Sequence, residues 1–253
     1  KSKKLKFILT PFSLQAVDIC IDLNVDFIKV GSGDTEFIQL LEKIKSSNIP
    51  YLISTGMNNI DEIIEIFNAI DFEPHAIFHC ISNYPTPPEN WHIERITDFI
   101  SKFSNKINIG LSDHSGSILP SILAYQIGAN YFEFHLSINK NYGFGPDHIC
   151  SLDYDQIYQL KNYLDEIKQM KDSSKKHKEL IEKMQKQKNL FSRSAFSLQE
   201  IKAKQEIKYE NIIFKKPGAV GLSSLDVYNL FKNKKMFAKR KIPKNEPINL
   251  EDI

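Results

Sequence analysis

Phe27-Ile28-Lys29-Val30-Gly31-Ser32-Gly33-Asp34 is the stretch on which the fold turns. Strand-forming residues stop at a Gly-Ser-Gly turn, and a helical apolar pattern follows over residues 36–45. The same order of apolar run, polar turn and helix recurs at intervals of roughly 20 to 30 residues, the mark of repeated β/α units. Strands are expected over residues 7–10, 27–30, 51–54, 76–80, 107–112 and 131–135. Helices are expected over 14–23, 36–45, 60–70, 91–103, 118–127 and 155–167, with Asn58 or Asn59 capping the third.

Parallel strands with crossover helices build either an open doubly wound sheet or a closed eight-stranded barrel, and both place chemistry at the C-terminal strand ends. Thr10, Ser54, Ser112 and His135 each close an apolar run, and Lys29 lies one residue before the end of its own. An open sheet binds at one switch point, whereas a barrel gathers side chains from every strand, so this even spread favours a (β/α)8 TIM-type barrel. Six strands are two too few to close it. The chain opens on Lys1 with no helix or turn before the first strand, and the reading expects it to begin inside a longer protein.

The 253 residues are 42% hydrophobic and 25% charged, ordinary for a globular chain with a substantial core. A net charge of +2 gives nucleic-acid binding little support. No apolar run has the roughly 20 residues needed to cross a bilayer. Cys20, Cys80 and Cys150 are few, distant and odd in number, which suits a reducing, cytoplasmic compartment. Residues 1–166 form the partial barrel; 167–189, lysine-rich with sparse apolar positions, form a helical linker. Beyond it, residues 201–212 match 242–253 without a gap, an internal repeat that predicts a compact, pseudo-symmetric, mostly β domain over 190–253. Lys215-Lys216-Pro217-Gly218 marks a turn between the copies.

The Lys29 to Asp34 segment offers backbone N–H groups, a helix N-terminus and a full positive charge to an anion. The competing reading is a tight turn in which Ser32 or Asp34 caps the helix. Hydroxyls of Thr10, Ser54 and Ser112 at other strand ends would serve the same anion. His114 and His135 lie at consecutive strand ends about 4.8 Å apart, close enough for two imidazoles to share a divalent ion. Strand alternation turns Glu133 inward with His135, where it needs a cationic partner, and Phe134 outward against helices. His79 and Cys80 read as core packing. Ser82-Asn83-Tyr84-Pro85-Thr86-Pro87-Pro88 reads equally as a rigid connector and as a stiff loop offering Ser82 and Tyr84 to a polyhydroxylated substrate. Asp147, in Gly145-Pro146-Asp147-His148, either contacts such a substrate or caps a helix.

These segments together resemble the N-acetylneuraminate (sialic acid) synthase family along nearly the whole chain and in the same order. The matching stretches are Thr10-Pro11-Phe12, Lys29 to Asp34, Ser54-Thr55-Gly56-Met57, His79 to Pro87, Gly110 to His114, Glu133-Phe134-His135 and Gly145 to His148. The repeat, with Lys216-Pro217-Gly218, resembles the antifreeze-protein-like (SAF) domain that follows the barrel in that family. The resemblance implies condensation of phosphoenolpyruvate with N-acetylmannosamine or a related 2-acetamido sugar, giving a nine-carbon 2-keto acid and phosphate. It implies Thr10, Lys29, Ser32, Ser54 and Ser112 on phosphoenolpyruvate, and His114 and His135 on Mn²⁺, with Mg²⁺ or Co²⁺ as alternatives. Lys29 and Asp34 would be catalytic, Asp34 orienting or deprotonating water, and Ser82, Tyr84, Asp147 and Lys216 would contact the sugar. It further implies a homodimer with the SAF domain over the partner barrel. The family's first two strands, with a metal-side glutamate and a second lysine, have no counterpart here. Lys216 and Phe134 stand where arginines are usual. A sister synthase for legionaminic or spore-coat polysaccharide acid, and a non-catalytic remnant binding phosphate or sugar, are the alternatives.

Overall fold

The computed structural model describes residues 4–104, 106–140, 143–173 and 177–253, and the chain divides into two compact units, Lys1–Met170 and Lys171–Ile253. The first alternates strand and helix: β1 (Ile8–Leu9), α1 (Leu14–Asp22), β2 (Phe27–Val30), α2 (Ile38–Ser46), β3 (Tyr51–Ser54), α3 (Ile60–Ile70), β4 (Ala76–Cys80), α4 (Arg95–Phe103), β5 (Asn108–Asp113), α5 (Leu119–Ile127) and β6 (Tyr131–Phe134). A short α6 (Pro146–Ile149) and the long α7 (Tyr154–Ser173) follow. The strands pair in sequence order and in parallel, β1 to β6, as a six-stranded half-barrel sheet of TIM-like type. Among the described residues β1 and β6 are its edges.

Alternation along the strands makes two cores. Ile28, Val30, Ile53, Ile77, Ile109 and Leu111 face the helices and pack with Val17, Leu40, Ile44, Ile63, Phe67, Ile96 and Phe99. Full burial of each such side chain stabilises by about 1.5–3 kcal/mol. On the other face Phe27, Leu52, Ala76 and Phe78 pack with Tyr131. A Cβ at Gly110 would lie 2.6 Å from the Phe78 ring and 2.8 Å from the Tyr131 carbonyl, so only glycine lets that ring lie across β5.

Three local departures from the sequence reading have identifiable causes. The helix expected from residue 91 starts at Arg95, because His92 has a left-handed backbone (φ 45°) that no helix continues through. Neither Ser32 nor Asp34 caps α2: residues Ser32–Asp34 form a 3-10 turn, and α2 has no side-chain cap. Helix α7 runs through Ile167 to Ser173.

The second unit holds α8 (His177–Lys183), α9 (Gln185–Phe191), β7 (Ser194–Ser197), β8 (Glu206–Ile207), β9 (Ile212–Lys215), α10 (Ser224–Asn233) and β10 (Met236–Phe237). Two antiparallel pairs, β7 with β9 and β8 with β10, are its sheets. The sequence repeat is a structural one. Ile201 and Ile242 exchange backbone hydrogen bonds of 2.9 and 2.8 Å; Leu198 N–H to Asn211 and Lys239 N–H to Asp252 are equivalent bonds, both 2.8 Å. Lys204 and Asn245 take matching left-handed conformations (φ 64° and 65°). Helix α10 was not foreseen, although Ser223 and Asp226 form a capping box at its start. No helix among the described residues is long and apolar enough to cross a membrane.

Asn59 caps α3 reciprocally: its side chain accepts from Glu62 N–H, and Glu62 accepts from Asn59 N–H. Replacing Asn59 with alanine should lower the unfolding free energy by about 1 kcal/mol in a urea titration. An unchanged midpoint would show that water replaces the cap without cost.

Candidate active site

Successive strands are in step or offset by two residues, an even shift that keeps their polar C-terminal residues on one face, the concave one. Lys29 lies opposite Leu52, two residues before Ser54; Cys80 faces Ser112, and Ser112 faces Glu133. Lys29, Ser54, Cys80, Ser112 and Glu133, together with Thr10, Gly31, Ser32, Gly33, Ser82, Tyr84, His114 and His135, line one cavity of about 500 Å³. Gly31 and Gly33 face open space, so a ligand has access to their backbone.

At the floor, Lys29 Nζ donates to Ser54 Oγ (2.7 Å) and Val30 O (3.0 Å) and lies 3.3 Å from Glu133 Oε2. Ser112 donates to the other Glu133 oxygen at 2.7 Å. The inward Glu133 thus has its expected cation. The pair forms, and the ammonium stays on the cavity wall. Burial pushes the Lys29 pKa down, more than Glu133 raises it. A cation whose burial is not repaid by its partner is poor support for a fold and good support for a binding site.

The adjoining wall is fastened from behind. Thr35 Oγ1 lies 3.0 Å from Ser32 O and 3.1 Å from Ser54 O, and Gly56 N–H donates to Ser32 Oγ at 2.9 Å. A Cβ at Gly56 would come within 2.5 Å of Ser82 Oγ and 2.9 Å of Cys80 Sγ. Cys80, read from sequence as core packing, lines the cavity instead, with Ser82 Oγ at 4.0 Å and His114 Nδ1 at 3.9 Å. Its position two residues beyond inward Phe78 was the signal. Burial raises its pKa and keeps it a neutral thiol. His79 does pack in the core, against Phe99, and donates from Nε2 to Trp91 O at 3.0 Å.

At the rim, the His114 and His135 rings lie 5.3 Å apart, centroid to centroid. His114 Nδ1 faces Ile81 O at 3.0 Å, so Nδ1 carries the proton and Nε2 keeps the lone pair that a metal requires. The two imidazoles fit as part of a ligand set for a borderline divalent ion, whose other positions water or substrate would fill. Among the described residues no cluster of three His, Cys, Asp or Glu stands ready. The Tyr84 ring lies 4.1 Å from that of His114, and burial pushes its phenol up to about 12, so it stays protonated.

Other expected residues fall elsewhere. Asp34 and Asp147 are not among those lining the cavity; Asp147 Oδ1 is 4.0 Å from His135 Nε2. Phe134, expected to pack outward, lines the cavity and takes no part in the helix-facing core. It ends an edge strand, where no following strand among the described residues enforces alternation. Lys216 belongs to the second unit, its Nζ 5.3 Å from the Phe191 ring.

The NeuB family profile matches residues 1–176. The chain belongs to the NeuB family. It is 34% identical to MJ1065 of Methanocaldococcus jannaschii over 84% of its own length and 62% of that protein's. It is 30% identical to the N,N'-diacetyllegionaminic acid synthase of Campylobacter jejuni, covering 89% of this chain and 67% of that enzyme. The crystal structure of the N-acetylneuraminic acid synthetase of Leptospira borgpetersenii, with citrate, superposes with a TM-score of 0.64 at 26% identity, over 73% of this chain and 66% of that one. The chain spans between 40% and 67% of the length of the curated relatives it matches.

Two outcomes follow from the electrostatics. Lys29→Met should destabilise by less than the roughly 3–5 kcal/mol that loss of one partner of a fully buried pair costs, because Glu133 is 40% exposed and keeps its bond from Ser112; a loss of that size in denaturant titration would make the pair structural. Burial pulls the His79 pKa down to about 4. Since the unfolded chain protonates this ring near pH 6.5 and the folded one near 4, its stabilising effect is complete above 6.5 and lost as pH falls towards 4, by at most about 3 kcal/mol. His79→Gln should flatten that part of the stability profile. Identical profiles for parent and variant would refute the assignment.

Proposed function

We propose that the protein is a condensing enzyme of sugar acid biosynthesis, joining phosphoenolpyruvate to N-acetylmannosamine or a related 2-acetamido sugar. The observation that carries this reading is the single cavity with a lysine and serine hydroxyls at its floor and two imidazoles at its rim. A trianionic phosphoenolpyruvate suits the floor, where Lys29 would pair with it and Thr10, Ser32, Ser54 and Ser112 would offer hydroxyls. Its C3 would bond to the aldehyde carbon, whose oxygen takes a proton; water adds at C2, and phosphate departs as the 2-keto group forms. Mn²⁺, Mg²⁺ or Co²⁺ held by His114 and His135 would supply a Lewis acid to the aldehyde oxygen. Ser82 and Tyr84 would orient sugar hydroxyls, and Asp147 would approach from beyond His135.

Glu133 is a carboxylate that lines the cavity, and Asp34, in the turn after Gly31-Ser32-Gly33, would orient or deprotonate the water. In this reading the second unit is a SAF-type domain that covers the barrel of a partner in a homodimer and brings Lys216 to the sugar.

Incubating the full-length protein with Mn²⁺, phosphoenolpyruvate and, in separate arms, N-acetylmannosamine or the 2,4-diacetamido sugar of legionaminic acid should release phosphate and yield a 2-keto acid visible by NMR. Lys29→Met should raise KM for phosphoenolpyruvate about tenfold or more with little change for the sugar, and His114→Ala should abolish turnover. Turnover undiminished in chelator would defeat the metal assignment. Binding of phosphoenolpyruvate without turnover of either sugar would favour a non-catalytic binder.

A further inference from the structure

The two sides of the cavity are fixed by different parts of the chain. Lys29, Ser32 and Ser54 are held by Glu133, Gly56 and Thr35. His114 is held instead by the connection between β4 and α4. Its Nδ1–H meets Ile81 O, its carbonyl accepts from Thr86 N–H at 2.9 Å, and Tyr84 lies over its ring. That connection is in turn clamped. Thr86 Oγ1 donates to Asn83 O at 2.6 Å, Trp91 Nε1–H donates to Thr86 O at 3.1 Å, and Trp91 O accepts from His79. Thr86, His79 and His114 are buried, so each bond is shielded from competing water.

We propose that Trp91 is a positioning residue for the rim: its indole N–H, acting through Thr86, holds the loop that sets the tautomer and angle of the His114 ring for a divalent cation. The inference rests on the proposed metal role of His114 and adds to it a residue that touches neither metal nor substrate. An indole filling space would need no donor bond to a loop carbonyl. Trp91 has one, and its own carbonyl is secured to β4 by a histidine that burial keeps neutral.

The test is the Mn²⁺ affinity of the purified full chain, read from the electron paramagnetic resonance of the free ion. Trp91→Phe keeps an aromatic ring and removes the donor. It should weaken Mn²⁺ binding by about tenfold, the lower end of what loss of a direct partner of a ligating histidine costs, because Trp91 acts through Thr86. Phosphoenolpyruvate affinity measured in chelator should stay within about twofold, because the floor has its own supports. His79→Leu should act in the same direction, while His79→Gln, which retains a donor for Trp91 O, should restore affinity; this pair decides the matter if Trp91→Phe fails to fold. Trp91 is the only tryptophan, so its emission in the parent should also respond to Mn²⁺. Mn²⁺ binding lost in His114→Ala but retained in Trp91→Phe would overturn this inference and leave the proposed function standing. Equal loss of Mn²⁺ and phosphoenolpyruvate in Trp91→Phe would make the residue merely structural. A parent that binds no Mn²⁺ would remove the metal role and this inference together.

Discussion

Lys29 and Glu133 meet across the concave face of the sheet, and the rest of the first unit is arranged so that they can. They sit on the second and sixth strands, and four inter-strand spacings of about 4.8 Å would separate them by roughly 19 Å in a flat sheet. Their charged atoms lie 3.3 Å apart. Two extended side chains bridge only about half of a flat-sheet gap, so the pair requires the sheet to curl. The curl is produced elsewhere, by strand twist and by the helix-facing core, and it sets the cavity's width. Ser54 and Ser112 occupy the intervening wall and share the charge at 2.7 Å each.

The fold was legible because its physics is periodic. Alternating burial wrote Ile28, Ile53, Ile77 and Ile109 to one face, and the polar strand ends to the other, in a pattern readable before any coordinate. Asn59 and Glu62 announced a helix start by local chemistry alone. What resisted reading was non-periodic. The left-handed turn at His92 delays α4, and nothing in the residue type demands it. Edge strand β6 let Phe134 depart from alternation. In the second unit the repeat identified matching halves, yet α10 lies between them, where a search for repeats has nothing to match.

The site was legible in its floor and rim and obscure between them. Thr10, Lys29, Ser32, Ser54, Ser112, His114 and His135 all reach the cavity, as residues closing parallel strands must. Cys80 escaped because its neighbour His79 shares its polarity but not its face: one lines the cavity, the other packs under a helix. Asp34 is less plainly placed: it closes the 3-10 turn that Ser32 opens, and Ser32 lines the cavity while Asp34 is not among its lining residues.

Under the proposed function, the division of labour within the cavity would follow from what each side has to hold. A permanent anion needs a fixed positive charge, and the floor keeps one by a buried network with few moving parts: Lys29, two hydroxyls and a carboxylate on four strands. A cation ligand needs the reverse, a neutral ring with its lone pair exposed, and that depends on one proton sitting on one nitrogen. Strands alone cannot select a tautomer, because a strand end fixes Cα and leaves the ring free to turn. A carbonyl from outside the sheet can, and Ile81 O does so for His114. Under that proposal the loop that carries Ile81 has to be as rigid as the sheet, which agrees with a connection that buries Thr86 and ties Thr86 and Trp91 down by hydrogen bonds to Asn83, to each other and to His79.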